Sequence, residues 1–203
     1  MKLAFLDTET TNLNALVGEI TEVSMIIDDG ETRKNLGKIN LKFRPTKWDG
    51  IDPKALEATG KTIEELEAYP DRDESFQKLV AFMEEHVNKY DRDDKMYAVA
   101  HNLWFDYNFL RALFEEYNER NNSKHYYFSF FHIEGFDTIA FMTYFKILLG
   151  REYQNMKLGT LCEALKINVD ENKTHSAFYD TILLRKLFYK ADVIMEKYLT
   201  KNK

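Results

Sequence analysis

Cysteine is nearly absent from this chain of 203 residues: Cys162 stands alone. That excludes an internal disulfide and any zinc site built on clustered thiolates. Proline (3) and glycine (8) are also scarce, so neither a collagen-like repeat nor a linker-rich architecture has material. Long hydrophobic runs are missing too. The apolar start, Met1 to Leu6, is too short for a signal peptide, and it meets Asp7 and Glu9 with no small-residue cleavage site. The longest apolar stretch, residues 139–149, is broken by Lys146 and falls far short of a membrane span. No repeat, low-complexity tract or Ser/Gly linker interrupts the chain. Together these absences predict one cytoplasmic domain over residues 1–203, in a reducing compartment and with no membrane partner.

What is present is core material. The chain is 44% apolar and 14% aromatic, which excludes wholesale disorder. Its net charge of −6 opposes a polyphosphate partner at long range. Carboxylates that hold divalent cations are counted as negative in that sum, however, and an occupied cation site attracts phosphate.

Residues 2–7 and 20–28 read as strands, and the turn at Asp28-Asp29-Gly30-Glu31 leads to a third at 36–44. Residues 45–52 form a loop, with Pro53 at a first helical position. Apolar residues at 76, 79, 80, 83 and 87 place a helix over 75–89. A short strand follows at 96–100, then a helix at 104–117. Residues 121–131 run polar and then aromatic. A helix is expected over 136–149, reached from a short strand at 133–135, and helices over 157–166 and 176–198 finish the chain, leaving no expected tail as a tether. Strands joined by tight turns and then alternating with helices predict an α/β fold with a mixed sheet.

Alternate side chains of a strand share a face, so Leu3, Phe5, Asp7 and Glu9 point one way. Two carboxylates at the end of a buried strand are costly unless paired or bound to metal. Asp-x-Glu alone says little: with 15 Asp and 19 Glu, chance supplies such triplets, and Asp29-Gly30-Glu31 reads as a solvated turn. In the second segment, Asn102 is the expected N-cap of a helix just after a strand. Asp106, Leu110, Leu113 and Tyr117 follow helical spacing, which sets Asp106 at the edge of the inward arc. Read alone, it is an Asp favoured by the helix dipole. In the third segment the buried stripe runs Ala177, Asp180/Thr181, Leu184, Leu187/Phe188, Ala191. His175 is five residues before Asp180, about 140° round a regular helix, so it belongs on the loop that precedes the helix.

Taken in order, these segments resemble the His-containing, DnaQ-like (DEDDh) branch of the DEDD superfamily of 3′→5′ exonucleases. The first motif is Phe5-Leu6-Asp7-Thr8-Glu9-Thr10-Thr11-Asn12-Leu13, with Asn12 where the family commonly has Gly. The second is His101-Asn102 followed by Phe105-Asp106 and Phe109-Leu110. The third is His175-x-Ala177-x-x-Asp180. Ala58-Thr59-Gly60-Lys61-Thr62 is similar to the family's His-Gly-Ile-Thr loop, with Thr59 replacing His. Asp137-Thr138 and Leu158-Gly159-Thr160-Leu161-Cys162 match the usual spacing before the third motif. The resemblance covers essentially the whole chain. It implies a ribonuclease H-like fold: a five-stranded mixed sheet flanked by helices, with an acidic site at the end of the first strand.

Hydrolysis of a phosphodiester needs an activated water and a stabilised leaving oxygen, which two divalent ions about 3.5–4 Å apart supply. Mg²⁺ and Mn²⁺ prefer oxygen ligands, as an all-carboxylate set provides. The resemblance implies that Asp7 bridges both ions, Glu9 and Asp180 complete the nucleophile-side site, Asp106 acts on the second ion through water, and His175 is general base. Thr10 and the backbone around Thr8 meet the terminal 3′-OH, Leu13 wedges against the last base, Asn102 contacts substrate, and Trp104 or Phe105 stacks on a base. The expected partner is nucleic acid with a free 3′ end, single-stranded DNA above all. Three rivals are an RNA-trimming or short-oligonucleotide exoribonuclease, a non-catalytic binding subunit, and a polymerase proofreading subunit. The run Tyr126-Tyr127-Phe128-Ser129-Phe130-Phe131, near Arg120 and Lys124, is a candidate for base stacking or homodimer contact. Asp91-Arg92-Asp93-Asp94-Lys95 lacks the Gly and distal Glu of a calcium loop and reads as a turn.

Overall fold

A computed structural model describes residues 1–170 and 176–201. In chain order it contains β1 (Lys2–Thr10), β2 (Ile20–Asp29), β3 (Asn35–Lys42), α1 (Pro53–Thr59), α2 (Ile63–Glu67), α3 (Arg72–His86), β4 (Met96–Ala100), α4 (Leu103–Asn121), β5 (Phe136–Asp137), α5 (Thr138–Leu149), α6 (Leu158–Ala164) and α7 (Ala177–Lys201). The strands form a five-stranded mixed sheet in the order β3-β2-β1-β4-β5. β1 pairs antiparallel with β2 and parallel with β4.

Strand alternation divides the core. Ala4 and Leu6 of β1, with Val23, Met25 and Ile27 of β2, pack against α3 and α4 through Phe76, Leu79, Leu113 and Phe114. Leu3 and Phe5, with Ile26 and Val99, face α7 through Leu184. Met142, Phe145, Leu161, Cys162, Leu183 and Leu187 close a further cluster among α5, α6 and α7. Each fully buried Phe or Leu contributes about 1.5–3 kcal/mol relative to exposure, so both faces of β1 are firmly held. Among the described residues no helix is long and apolar enough to cross a membrane.

Helix starts follow capping chemistry. Asp52 accepts from the Lys54 N–H with Pro53 in the first turn, Thr62 and Glu65 form a capping box, and Asp71 accepts from Asp73 and Glu74. Two expectations need correction. The short strand expected at 133–135 lies instead at Phe136–Asp137, and α5 starts at Thr138 because the Asp137 carboxylate caps the Ile139 N–H. The third strand begins at Asn35, one residue earlier than expected, and ends at Lys42, two residues earlier. The aromatic run splits. Tyr127, Phe130 and Phe131 are buried, with Phe131 bridged to Met96, whereas Tyr126 and Phe128 remain exposed.

Candidate active site

The parallel pairing of β1 with β4 runs from Lys2–Met96 to Phe5–Val99 and no further. β4 ends at Ala100, so one edge of β1 opens just where Asp7 and Glu9 project. This is the crevice at the carboxyl ends of parallel strands, where open α/β sheets bind ligands. The pairing with β2 shifts register between Glu9 and Thr10, so the strand turns irregular just past the acids. Asp180 reaches the same point from the first turn of α7. Carboxylate oxygens of Asp7, Glu9 and Asp180 all lie within 4.8 Å of one another.

Asp106, 3% exposed in the first turn of α4, stands beside this trio. Its Oδ1 accepts from the Thr8 hydroxyl at 2.8 Å. Thr8 lies between the two β1 acids and points through the sheet to the opposite face, so it couples Asp106 to β1. Burial, then the charges of Asp106, Glu9, Asp180 and Glu22, hold Asp7 well above the usual carboxylate range. Burial, then Glu22 and Asp180, push Glu9 up to about 8, against the opposing charge of Lys61. Burial likewise pushes Asp106 up to about 7, although hydrogen bonds from Thr8 hold it back. Hard oxygen donors that repel one another this strongly fit a divalent cation, which would relieve the repulsion. Ser24 adds to the fit: it is fully buried opposite Asp7 and its hydroxyl has no hydrogen-bond partner.

The remaining predicted residues surround this cluster. His175 lies outside the described residues. The Thr10 hydroxyl donates to the Asn12 carbonyl at 2.8 Å, and so shapes the loop that follows. That loop presents Leu13 and Leu16 to solvent, 81% and 87% exposed. Asn12, at the position usually Gly in the family, is accommodated by Gly18, where any Cβ would collide with the Asn12 side chain. Phe105 is half-buried against the core, and it lines a groove of about 530 Å³ with Leu13, Leu16 and Arg111. Trp104, 68% exposed, faces a separate cavity of about 320 Å³ with Tyr107, Phe128 and Ile133.

The structure corrects one part of the expectation for Asn102, the cap bond of its side chain. Asn102 occupies the N-cap position of α4 in a left-handed conformation (φ 76°, ψ 59°), and its side chain makes no cap hydrogen bond. Asn tolerates that conformation better than most residues. The Asp137 carboxylate takes over the cap, accepting from the Leu103 N–H at 3.2 Å. His101 pins the same corner: Nδ1 meets the Thr138 hydroxyl at 2.9 Å and Nε2 the Met156 carbonyl at 2.7 Å. Burial lowers its pKa, and because a carbonyl only accepts, Nε2 is the donor to Met156. Thr59, at the family's His position, spends its hydroxyl on the Ala55 carbonyl at 2.9 Å. Glu22 escaped the sequence reading, yet it lies opposite Glu9 and is 3% exposed. Only the β1–β2 register reveals it.

The family model for Exonuclease matches residues 4–188. Ribonuclease T of Buchnera aphidicola subsp. Baizongia pistaciae is 28% identical over 189 residues, covering 91% of this chain and 81% of that protein. Among solved structures, the nuclease domain of 3′hExo, a DEDDh family member bound to rAMP, superposes with a TM-score of 0.67 at 15% identity, over 96% of this chain and 92% of that one. E. coli Exonuclease I in complex with a dT13 oligonucleotide gives a TM-score of 0.71 at 19% identity, over 98% of this chain and 43% of that one. These two likenesses establish the shared ribonuclease H-like fold. With the family match spanning all three acidic motifs, the chain belongs to the Exonuclease family, and it is a metal-dependent 3′→5′ exonuclease acting on nucleic acid.

Proposed function

We propose that the protein removes nucleotides from the 3′ end of single-stranded DNA and releases nucleoside 5′-monophosphates, using Mg²⁺ or Mn²⁺ at two positions. The observation that carries this reading is the trio Asp7, Glu9 and Asp180, with oxygens within 4.8 Å of one another at an open sheet edge. Asp7 and Glu9 on β1 and Asp180 on α7 would hold one cation, and Asp106, oriented by Thr8, would serve the second. Divalent cations bound there lower the pKa of water and neutralise charge on the phosphate. His175 accepts the proton of the attacking water, a task suited to a group that titrates near neutrality. The exposed Leu13 packs against the terminal base, and the groove beside Phe105 and Arg111 takes the strand that leads to it.

A narrow site of this kind grips an unpaired nucleotide, and a matched duplex end first costs a few kcal/mol of unpairing. The expected result is metal-dependent shortening of 3′ ends, faster on a single strand than on its blunt duplex. Full activity in excess EDTA, efficient cutting of a closed single-stranded circle, or equal rates on strand and duplex would contradict it. Trimming of RNA is the second reading, favoured by relatives named Ribonuclease T. Parallel degradation of end-labelled DNA and RNA oligonucleotides of several lengths separates the two.

A further inference from the structure

Glu22 is 3% exposed and stands directly opposite Glu9 in the antiparallel register. Opposed residues of such a pair share a face, with Cβ atoms about 4.5–5.5 Å apart. Its carboxylate therefore stands beside Glu9 on the face that carries the metal-binding acids, and its charge acts on both Asp7 and Glu9. Among the described residues no cation stands within ion-pair distance of Glu22, and Lys61 reaches it through its charge alone. Two positions along the same strand, Ser24 is buried opposite Asp7 and its hydroxyl is also unpartnered. Ser24 thus faces the acidic row with an unsatisfied hydroxyl, and Glu22 with a carboxylate that no cation contacts directly.

Packing does not account for this. An unpaired buried carboxylate is costly, and one directly opposite another acid is costlier still. Lys42, across from Glu22 on β3, turns its ammonium over the Tyr69 ring at 4.7 Å instead of pairing with the acid. Lys61, between α1 and α2, is the cation whose charge reaches both Glu9 and Glu22. It also engages Tyr69 and Glu65, so one lysine is shared among several anions. The row from Glu9 to Glu22 lacks positive charge, and a cation at Glu9 supplies it.

We infer that Glu22 is a fifth carboxylate of the metal centre, adding its charge to the hold on the divalent cation at Glu9, while Lys61 is the counter-charge that steadies the cluster when no cation is bound. This rests on the metal-binding reading of Asp7, Glu9 and Asp180. It assigns to β2 a part in the site that the acidic motifs do not contain.

The test combines Mn²⁺ titration calorimetry with thermal melts in EDTA, on the full chain and on Glu22→Gln, Lys61→Met and Asp7→Asn. Glu22→Gln keeps the shape and removes the charge. It should weaken Mn²⁺ binding roughly tenfold, the lower end of the usual effect of a supporting group, and raise the metal-free melting temperature. Lys61→Met should do the reverse on both counts. Glu22→Leu carries the same two expectations as Glu22→Gln and replaces it should that variant not fold. Parental Mn²⁺ affinity in Glu22→Gln overturns the inference, and so does a lowered metal-free melting temperature, which would mark a structural hydrogen-bonding group. Asp7→Asn tells the two levels apart: if it too binds Mn²⁺ as the parent does, the metal reading itself fails.

Discussion

A hydroxyl decides how the second half of the site is aimed. Thr8 points away from Asp7 and Glu9, yet its Oγ1 donates to Asp106 at 2.8 Å and fixes that carboxylate relative to β1. Thr8→Val should leave Asp106 buried with one partner fewer. The expected outcome is a loss of about 1–3 kcal/mol in stability and roughly a tenfold lower turnover, read by melts and single-turnover cleavage. His175 should respond differently. His175→Asn should keep Mn²⁺ affinity and slow the chemical step by roughly 10²–10⁴-fold, whereas Asp180→Ala should lose affinity as well. Near-parental turnover of His175→Asn would mean that another group takes the proton. Alternation after Leu3 and Phe5, and the helical stripe through Leu110, Leu113 and Tyr117, place Asp7, Glu9 and Asp106 on their faces, but what made them legible as one site was the ordered resemblance of three segments to one family's motifs. Glu22 was not legible, since β2 is buried along nearly its whole length. A strand covered on both faces shows no alternation, so which of its residues meets the acids is set by pairing with β1.

At the scale of elements, one buried ion pair ties the loop that follows β1 to the rest of the fold. Glu19 accepts from the Thr46 N–H at 2.6 Å, the Thr46 hydroxyl at 2.7 Å and the Lys47 N–H at 2.7 Å. Arg72, at the start of α3, lies 3.4 Å away and also donates to the Ile20 carbonyl. The loop between Thr11 and Glu19, which carries Leu13, is thereby closed at its base, where the Thr11 N–H meets the Glu19 carbonyl at 2.9 Å. Glu19→Ala leaves the buried Arg72 with Glu116, at 3.4 Å, as its remaining carboxylate and should cost about 1–3 kcal/mol. Burial alone would raise the Glu19 pKa, but the Arg72 charge and the hydrogen bonds from Lys47 and Thr46 outweigh it and hold the carboxyl below its ordinary value. A carboxyl depressed in the folded state adds stability above its unfolded value, about 4.3. That stability is lost as pH falls through the lower folded value. The acid limb of a melting-temperature profile should therefore be steeper in the parent than in Glu19→Gln; identical limbs would remove Glu19 from the account. The sequence announced α1 through Pro53, but α2 spans only Ile63–Glu67, too few residues for a helical period to emerge. The tie between Glu19 and Arg72 spans too much chain for any local pattern to signal it.

Across the whole molecule, the metal site joins distant parts of the chain. α7 is clamped to the sheet by Leu184 against Phe5 and by Asp28, a buried carboxylate that accepts from Arg185 Nε at 2.6 Å and from the Tyr189 hydroxyl at 2.9 Å. That clamp delivers Asp180 to Asp7. Cation binding should stabilise the entire fold, by about 2.7 kcal/mol at a hundredfold excess over Kd. The rise in melting temperature with Mn²⁺ should shrink sharply in Asp180→Asn; an unchanged rise would place the cation elsewhere. The pairing of β2 with β3 was legible, because a tight turn joins them, whereas β1 reaches β2 only through the loop of residues 11–19. The edge strand β5 was misplaced because two residues carry no period. One consequence of the distance between Asp7 and Asp180 concerns synthesis. On the ribosome, β1 emerges early with half of its ligand set, and the partner carboxylate follows only after the rest of the sheet has been made. A chain broken off before α7 therefore lacks Asp180, and its ligand set stays incomplete however well the sheet has formed.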